Sequence, residues 1–125
     1  MMKTAQEIMT KDVATIHPHA PVAEAIRRMR ERQIGSLLVE KVSPSDTWGI
    51  ITQNDVVQRV VARDSDPNQV EVGAVMSKPI SIVRPDTLLR ECAKVMARER
   101  IRRVFVFDGH NVVGVISAND IFDTL

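Results

Sequence analysis

An internal repeat constrains the fold of this chain more than any other feature of its sequence. Residues 49–55 (GIITQND) return as residues 114–120 (GVISAND), with glycine, isoleucine, asparagine and aspartate at matching places. Self-similarity at a fixed spacing indicates a tandem repeat. Each copy predicts a buried strand that ends on a hydroxyl residue, then a short acidic turn, and then a helix that begins at Val56 or Ile121.

The repeat covers most of the chain and changes register once. Met9 recurs 67 positions later as Met76, whereas the offset from Gly49 onward is 65. The first copy therefore carries two extra residues. They are predicted to lie in the loop around residues 43–47, because surface loops tolerate insertions.

Each repeat predicts the order strand, helix, strand, strand, helix, which is an α+β arrangement with a small three-stranded sheet. Halves of about 60 residues are marginally stable alone, so we expect one intertwined domain with a first repeat at residues 1–65 and a second at 66–125. The predicted elements of the first repeat are a helical turn at residues 4–9, a strand at 13–16, a helix with Pro21 as its first residue, a strand at 36–39 and a strand led by Gly49. Trp48, directly before Gly49, is predicted to be a sheet residue. Those of the second are a turn at residues 72–76, a strand at 80–83, a helix with Thr87 as its N-cap, a strand at 104–107 and a strand led by Gly114.

Composition argues against several classes of partner. The chain has 17 basic and 16 acidic residues, a net charge of +1, and only three phenylalanines and one tryptophan as aromatic residues. This balance disfavours bulk electrostatic binding to nucleic acid or to a membrane surface. No apolar run approaches the roughly 20 residues of a membrane helix, the N-terminus lacks the apolar core of a signal peptide, and the single Cys92 excludes an internal disulfide. We expect a soluble, cytoplasmic protein.

The strand-to-helix junction of each repeat carries the main chemical pattern. Thr52 with Asp55, and Ser117 with Asp120, match the capping box of a helix N-terminus. A carboxylate at such a junction can also accept hydrogen bonds from the two hydroxyl groups of a ribose, as an acidic residue does in dinucleotide-binding folds. The two roles are compatible, because the hydroxyl can cap the helix while the carboxylate faces a ligand.

Each half of the sequence resembles a CBS (cystathionine-β-synthase) domain, and the whole chain is similar to a stand-alone CBS pair, or Bateman module. The resemblance rests on the paired Gly-X-Ile-Thr/Ser-X-Asn-Asp segments, on Pro18 and Pro85, and on the Met-Thr-Lys and Met-Ser-Lys triplets at residues 9–11 and 76–78. It implies two repeats packed as a pseudo-two-fold pair with two clefts that hold adenine nucleotides or related adenosyl ligands. It also implies a sensing role without catalysis, and a flat homodimer.

By this resemblance, each cleft combines the hydroxyl and acid of one repeat with the first and middle strands of the other. The first cleft would use Ile50, Thr52, Asp55, Ile80, Ser81, Arg102 and Arg103. The second would use Val13, Ala14, Thr15, Ser36 beside Gly35, Val115, Ser117 and Asp120.

The two predicted clefts differ in charge. An acid at the ribose end repels a phosphate, so an anionic ligand needs cations at its other end, and Arg102 and Arg103 are the candidates. Strand alternation turns one of them to each face, and exposed charges at a strand edge are the alternative interpretation. Ser36 stands where the second repeat has Arg103. We therefore hypothesise that Asp55→Ala or Arg103→Ala weakens nucleotide binding more than Asp120→Ala.

Other motifs are weaker. His17, His19 and His110 lie in predicted loops without the ligand spacing of a metal site, and no nucleophile or phosphate-loop motif is present, so we predict no catalytic residue, no metal and no required cofactor. The leading interpretation is a regulatory sensor of AMP, ADP, ATP or S-adenosylmethionine that signals to an effector protein. The alternative is a structural dimerisation or interaction module with non-functional clefts.

Overall fold

The computed structural model describes residues 2–125 and separates into two compact units. The central unit comprises Ala14–Ile80, and the terminal unit comprises the chain up to Val13 together with Ser81–Leu125. The units and the sequence repeats therefore divide the chain at different places. The short opening segment of each repeat belongs to the unit that is built mainly from the other repeat. The repeat boundary at residue 65 stays a prediction.

The elements follow the predicted α+β order in both halves, with a three-stranded sheet in each. In chain order they are α1 (Ala5–Ile8), β1 (Thr15–Ile16), α2 (Val22–Arg32), β2 (Ser36–Val39), β3 (Gly49–Thr52), α3 (Gln53–Val56), α4 (Val72–Val75), β4 (Ile82–Val83), α5 (Leu89–Glu99), β5 (Arg103–Phe107), β6 (Val112–Ser117) and α6 (Ala118–Phe122). The sheet orders are β1-β2-β3 and β4-β5-β6. In each sheet the middle strand runs parallel to the first strand and antiparallel to the third.

Each unit has its own hydrophobic core between its sheet and its long helix. One apolar face of α2 and one of α5 are buried, and Met29 and Met96 fill equivalent core positions. Cys92 is also buried, and this burial raises the pKa of its thiol. These side chains serve packing, as their spacing predicts.

The opening segments pair with the third strand of the sheet they join. In the central unit, Ile50 and Ser77 exchange two backbone hydrogen bonds of 2.9 and 2.8 Å; in the terminal unit, Thr10 and Val115 exchange two of 2.9 and 3.0 Å. The methionine before each hydroxyl residue packs over the glycine of the strand. A Cβ on Gly49 would lie 2.8 Å from Met76 Sδ.

The starts of the long helices differ from the prediction by one residue. Pro21 is the N-cap of α2 rather than its first residue, and Leu88, not Thr87, is the N-cap of α5. Both N-caps are held extended by isolated bridges to the opening segments, from Pro21 to Glu71 and from Leu88 to Thr4. The Thr87 hydroxyl instead accepts a hydrogen bond from the Arg84 amide in the preceding turn.

Three further details correct the prediction. The helices after the junctions begin at Gln53 and Ala118, three residues earlier than predicted, because the capping box closes the first turn there. The strands β1 and β4 are each two residues shorter than the predicted ranges 13–16 and 80–83. Trp48 precedes β3 rather than lying in it. After α3 the chain continues as a π-helical turn, Val57–Val61.

Candidate functional site

Both strand-to-helix junctions form complete capping boxes. The Asp55 amide donates to Thr52 Oγ1 at 3.1 Å, and the Thr52 amide donates to Asp55 Oδ2 at 2.9 Å. The Ser117 and Asp120 pair repeats this geometry at 3.1 and 2.8 Å. The capping role is thus confirmed at both sites. Each cap uses one carboxylate oxygen and leaves the other for a further contact.

In the central unit, the second oxygen of Asp55 faces a serine of the opening segment. Ser77 Oγ lies 3.5 Å from Asp55 Oδ1, at the long limit of a hydrogen bond. Both residues are half-buried. Ser36 is the cross-strand partner of Thr52, so this junction carries hydroxyl groups on three neighbouring segments.

In the terminal unit, an arginine takes the place of that cross-strand serine. Arg103 pairs with Ser117 in the register of β5 and β6, and it is half-buried. Burial lowers the pKa of its guanidinium, the positive charge of Arg102 lowers it further, and the negative charge of Asp120 opposes the shift. Within residues 2–125, Arg103 makes no ion pair with a carboxylate within 4.0 Å. It is therefore a partly desolvated cation beside a hydroxyl and an acid.

Several other predicted site residues have structural partners. The backbone carbonyls of Ala14 and Ser81 accept ladder hydrogen bonds from the middle strands, each at 2.9 Å. The Ser81 hydroxyl donates to Glu99, which lowers the pKa of that carboxyl. Thr15 is exposed, and its carbonyl accepts a 2.6 Å hydrogen bond from Arg28.

The structure brings together part of each predicted residue set. Thr52, Asp55 and Ile50 share the central unit with Ile80, while Ser117, Asp120 and Val115 share the terminal unit with Val13. The groupings that join residues of both units stay predictions. They place Ser81, Arg102 and Arg103 with the first set, and Ala14, Thr15 and Ser36 with the second.

Sequence reasoning did not include Ser77 among the site residues. The hydroxyl residue after the methionine is repeated in both copies, as Thr10 and Ser77, and this repetition is the available signal. It does not reveal that Ser77 faces Asp55, because that contact joins segments 22 residues apart.

An ion pair next to Ser77 holds the loop between β2 and β3, where the two-residue insertion is predicted. Lys78 Nζ lies 3.0 Å from Asp46 Oδ1. The backbone amide of Val42, the lysine and the amide of Thr47 together lower the pKa of Asp46 to about 2. In the same loop, Lys41 Nζ lies 4.5 Å from the centre of the Trp48 ring, a cation–π contact.

The histidines lie on the surface. His19 Nδ1 is 2.9 Å from Glu71 Oε1 with 73% of its side chain exposed, and His17 Nδ1 accepts a hydrogen bond from the His19 amide. Across residues 2–125 no group of three or more His, Cys, Asp or Glu residues has a geometry that holds a metal ion. In that same range no helix is long and apolar enough to cross a membrane.

The junctions, sheets and repeated opening segments match a known family. The sequence model of the CBS domain matches residues 5–62 and, a second time, residues 72–125. The chain belongs to the CBS domain family. CBS pairs are generally regulatory, ligand-binding modules, stand-alone CBS proteins are generally non-catalytic, and CBS domains commonly oligomerise.

Relatives of this CBS protein include other short CBS proteins. It is 30% identical over 120 residues to the CBS domain-containing protein YhcV of Bacillus subtilis, covering 96% of this chain and 84% of YhcV. It is 31% identical over 121 residues to hypoxic response protein 1 of Mycobacterium tuberculosis, covering 96% and 83%. A crystal structure of the latter contains two coordinated zinc ions and matches with a TM-score of 0.81 at 29% identity, covering 98% and 99%.

A hexameric CBS-CP12 protein from bloom-forming cyanobacteria is also similar in structure to this CBS chain. The TM-score is 0.92 at 39% identity, with 98% of this chain and 67% of that chain covered. The CBS fold is thus found in proteins with additional length and with higher-order assembly.

Proposed function

We propose that this CBS pair is a non-catalytic sensor that binds an adenine nucleotide or adenosyl ligand at its strand-to-helix junctions and signals to a partner protein. The observation that carries the proposal is the state of Arg103, a half-buried guanidinium without an ion pair within residues 2–125, beside Ser117 and Asp120. Burying a cation without a partner is unfavourable. A phosphate would supply the missing anion.

The carboxylates supply the second half of the recognition. Each cap leaves one oxygen of Asp55 and of Asp120 outside the capping box. A carboxylate only accepts hydrogen bonds, whereas ribose hydroxyl groups donate them. A ligand with a ribose at one end and phosphate at the other therefore fits the combination of acids and arginine. AMP, ADP and ATP carry both groups, and S-adenosylmethionine carries the ribose.

A structural interaction module is the second candidate, and specific exposed residues favour it. Val57 and its repeat equivalent Phe122 are 56% and 71% exposed, and Val61 is 64% exposed. Large apolar side chains on a surface mark interaction sites when they cluster. In this alternative the protein forms a homodimer or holds an effector through these helices, and its junctions bind no ligand. We place either activity in the cytoplasm.

Thermal melting of the full chain tests the proposal. The ligands are millimolar AMP, ADP, ATP, S-adenosylmethionine and NAD, with GMP as the control, and Trp48 fluorescence is followed in parallel. Binding to the native state adds about 2.7 kcal/mol at a hundredfold excess over Kd, a shift of several degrees for a domain of this size. Stabilisation by adenosyl ligands that Asp55→Ala removes supports the sensor. Absence of any shift favours the interaction module.

A further inference from the structure

We propose that a pocket in the terminal unit, away from its strand-to-helix junction, binds a free basic amino acid such as lysine or arginine. The pocket lies where β4 and β5 end, and its volume is about 440 Å³. Small-molecule sites in proteins have volumes of about 300–1,000 Å³. Its lining residues differ from all of the predicted nucleotide-cleft residues, so this site goes beyond the proposed function.

The sheet register places the pocket at the opposite end of β5 from the junction. Arg103, at the start of β5, pairs with Ser117, whereas Phe107, at its end, pairs with Val112. At about 3.3 Å per residue, the two ends of the strand lie roughly 13 Å apart. The strand β4 runs parallel to β5 and ends at the same edge, and the turn that follows it also lines the pocket.

Hydrogen bonds hold both walls of the pocket. In one wall the Gln6 amide donates to the Pro85 carbonyl at 3.0 Å, which ties α1 to the turn after β4. In the other wall Asp108 Oδ1 accepts hydrogen bonds from the amides of Asn111 and His110, each at 2.8 Å. These amides lower the pKa of Asp108, so its carboxylate stays ionised. Its Oδ2 lies outside both of these hydrogen bonds.

The side chains that line the pocket carry one positive and two negative charges. Arg84 Nε lies 3.5 Å from Asp86 Oδ1, with 81% and 74% of the two side chains exposed. An exposed pair of this kind contributes little to stability, so both groups can turn to a ligand at small cost. Asp108 supplies the second carboxylate. A ligand of matching charge has one carboxylate and two cationic groups, as lysine and arginine have at neutral pH.

The arrangement of these groups matches the arrangement of charges in a basic amino acid. Arg84 and Asp86 are neighbours, as are the α-carboxylate and the α-ammonium group of an amino acid. Asp108 follows the other strand, so it can hold the cation at the far end of the ligand side chain. Pro85 and the half-buried Phe107 supply apolar surface for the methylene groups. Recognition therefore combines three charge pairs with an apolar contact.

The equivalent positions of the central unit carry different chemistry. Glu40 stands where the terminal unit has Phe107, and Lys41 stands where it has Asp108. Lys41 Nζ lies 4.5 Å from the centre of the Trp48 ring. The central unit therefore has a cation where the proposed site needs an anion, and Lys41→Gln is a matched control for substitutions in the pocket.

Nuclear magnetic resonance titration of the isotope-labelled full chain measures both binding and its location. The ligands are L-lysine and L-arginine, and three lysine analogues that each lack one charge. L-Norleucine lacks the side-chain ammonium group, cadaverine lacks the carboxylate, and ε-aminocaproic acid lacks the α-ammonium group. The variants are Arg84→Gln, Asp86→Asn, Asp108→Asn and the control Lys41→Gln. Arg84 and Asp86 are exposed, and an asparagine at position 108 keeps an acceptor oxygen for the turn, so each variant should fold.

We expect lysine and arginine to bind saturably, with the largest shifts at the amides of Asp86, Asp108 and Gly109. Each analogue should bind about tenfold more weakly than lysine, because it loses one charge-assisted hydrogen bond. Arg84→Gln should abolish the preference for lysine over cadaverine, Asp86→Asn that over ε-aminocaproic acid, and Asp108→Asn that over norleucine. Lys41→Gln should keep all three preferences.

Two kinds of result would overturn this assignment. One is the absence of saturable lysine and arginine binding to the wild-type protein, or binding whose shifts are confined to the central unit. The other is norleucine binding as tight as that of lysine, or preferences that survive in all three pocket variants. Either result would show that the charges of Arg84, Asp86 and Asp108 do not select a basic amino acid.

Discussion

The two strand-to-helix junctions have the same local structure and different neighbours. Both close a capping box with hydrogen bonds that agree within about 0.1 Å. Across the strand, however, Thr52 meets Ser36, whereas Ser117 meets Arg103. Asp55 faces the hydroxyl of Ser77, and Asp120 experiences a guanidinium charge. The same motif therefore has a serine across the strand in one unit and an arginine across the strand in the other.

This difference separates helix capping, which the capping box itself provides, from ligand preference, which depends on the neighbouring residues. The cap is satisfied by residues within one turn of helix, so it forms in both places regardless of the sheet. Ligand preference depends on cross-strand neighbours, which the sheet register supplies. The comparison predicts that equivalent substitutions in the two units have unequal effects, and the following predictions test it from the largest expected effect to the smallest.

The largest expected effect comes from filling the glycines under the two methionines. A Cβ on Gly114 would overlap Met9 Sδ and lie 2.9 Å from Met9 Cβ, whereas one on Gly49 would lie 2.8 Å from Met76 Sδ, near the end of a flexible side chain. A Cβ cannot move away without the backbone, but a thioether can. Gly114→Ala should destabilise by about 1–3 kcal/mol, and Gly49→Ala by less, in urea unfolding.

The rescue variant checks the cause. Met9→Ala in the Gly114→Ala background should recover part of the lost stability if overlap with Met9 is the reason. An equal or larger loss of stability for Gly49→Ala would show that Met76 packs on Gly49 at least as tightly as Met9 packs on Gly114. That result would contradict the contact distances in the structure.

The next largest effect is on nucleotide binding by variants of the two junction aspartates. Asp55→Ala should weaken nucleotide binding by about tenfold, and Arg103→Ala should also weaken it, while Asp120→Ala should have a smaller effect. The charge of Arg103 acts near Asp120, whereas the oxygen of Asp55 outside the capping box contacts the Ser77 hydroxyl at 3.5 Å. Both aspartate variants lose a capping box, so each controls for the cap of the other. Equal losses in titration calorimetry would contradict the asymmetry.

The smallest effect is the pH dependence that Asp46 contributes to the stability of the central unit. The pKa of Asp46 is about 2 in the native state, below the unfolded value of about 4. The native state therefore binds fewer protons, so the carboxylate stabilises the fold above about pH 4, and this contribution is lost as the pH falls towards about 2. Thermal melts of Asp46→Asn should converge with those of the wild type over that range. A constant difference in melting temperature between pH 4 and pH 2 would refute this explanation.

The sequence predicted the elements whose partners are close along the chain. The repeat identified β2 and β3 with their observed bounds, and the pattern around Thr52 and Ser117 predicted both caps. The predicted loop at His110 is a turn after β5, where Asp108 Oδ1 accepts hydrogen bonds from the amides of His110 and Asn111, and Gly109 takes a positive φ of 105°. Each of these features is satisfied within a few residues, so local sequence suffices.

The helix starts at Gln53 and Ala118 were local errors, whereas the other N-terminal errors occur where distant segments meet. Pro21 and Leu88 became N-caps because the opening segments hold them extended. Each opening segment packs in the unit of the other repeat, while the repeat bounds themselves stay a prediction. The contact of Ser77 with Asp55 has the same origin. Periodicity within a repeat carries no information about which sheet a neighbouring segment joins.

The amino-acid sequence by itself determined the tandem α+β repeat, the buried faces of the long helices and the capping boxes, because apolar periodicity and short-range hydrogen bonds specify them. Only the tertiary structure decided that Arg103 lies across from Ser117 and that Ser77 faces Asp55. Those contacts depend on sheet register and on the exchange of opening segments. Both are set by packing between residues that are distant in sequence, where no local propensity acts.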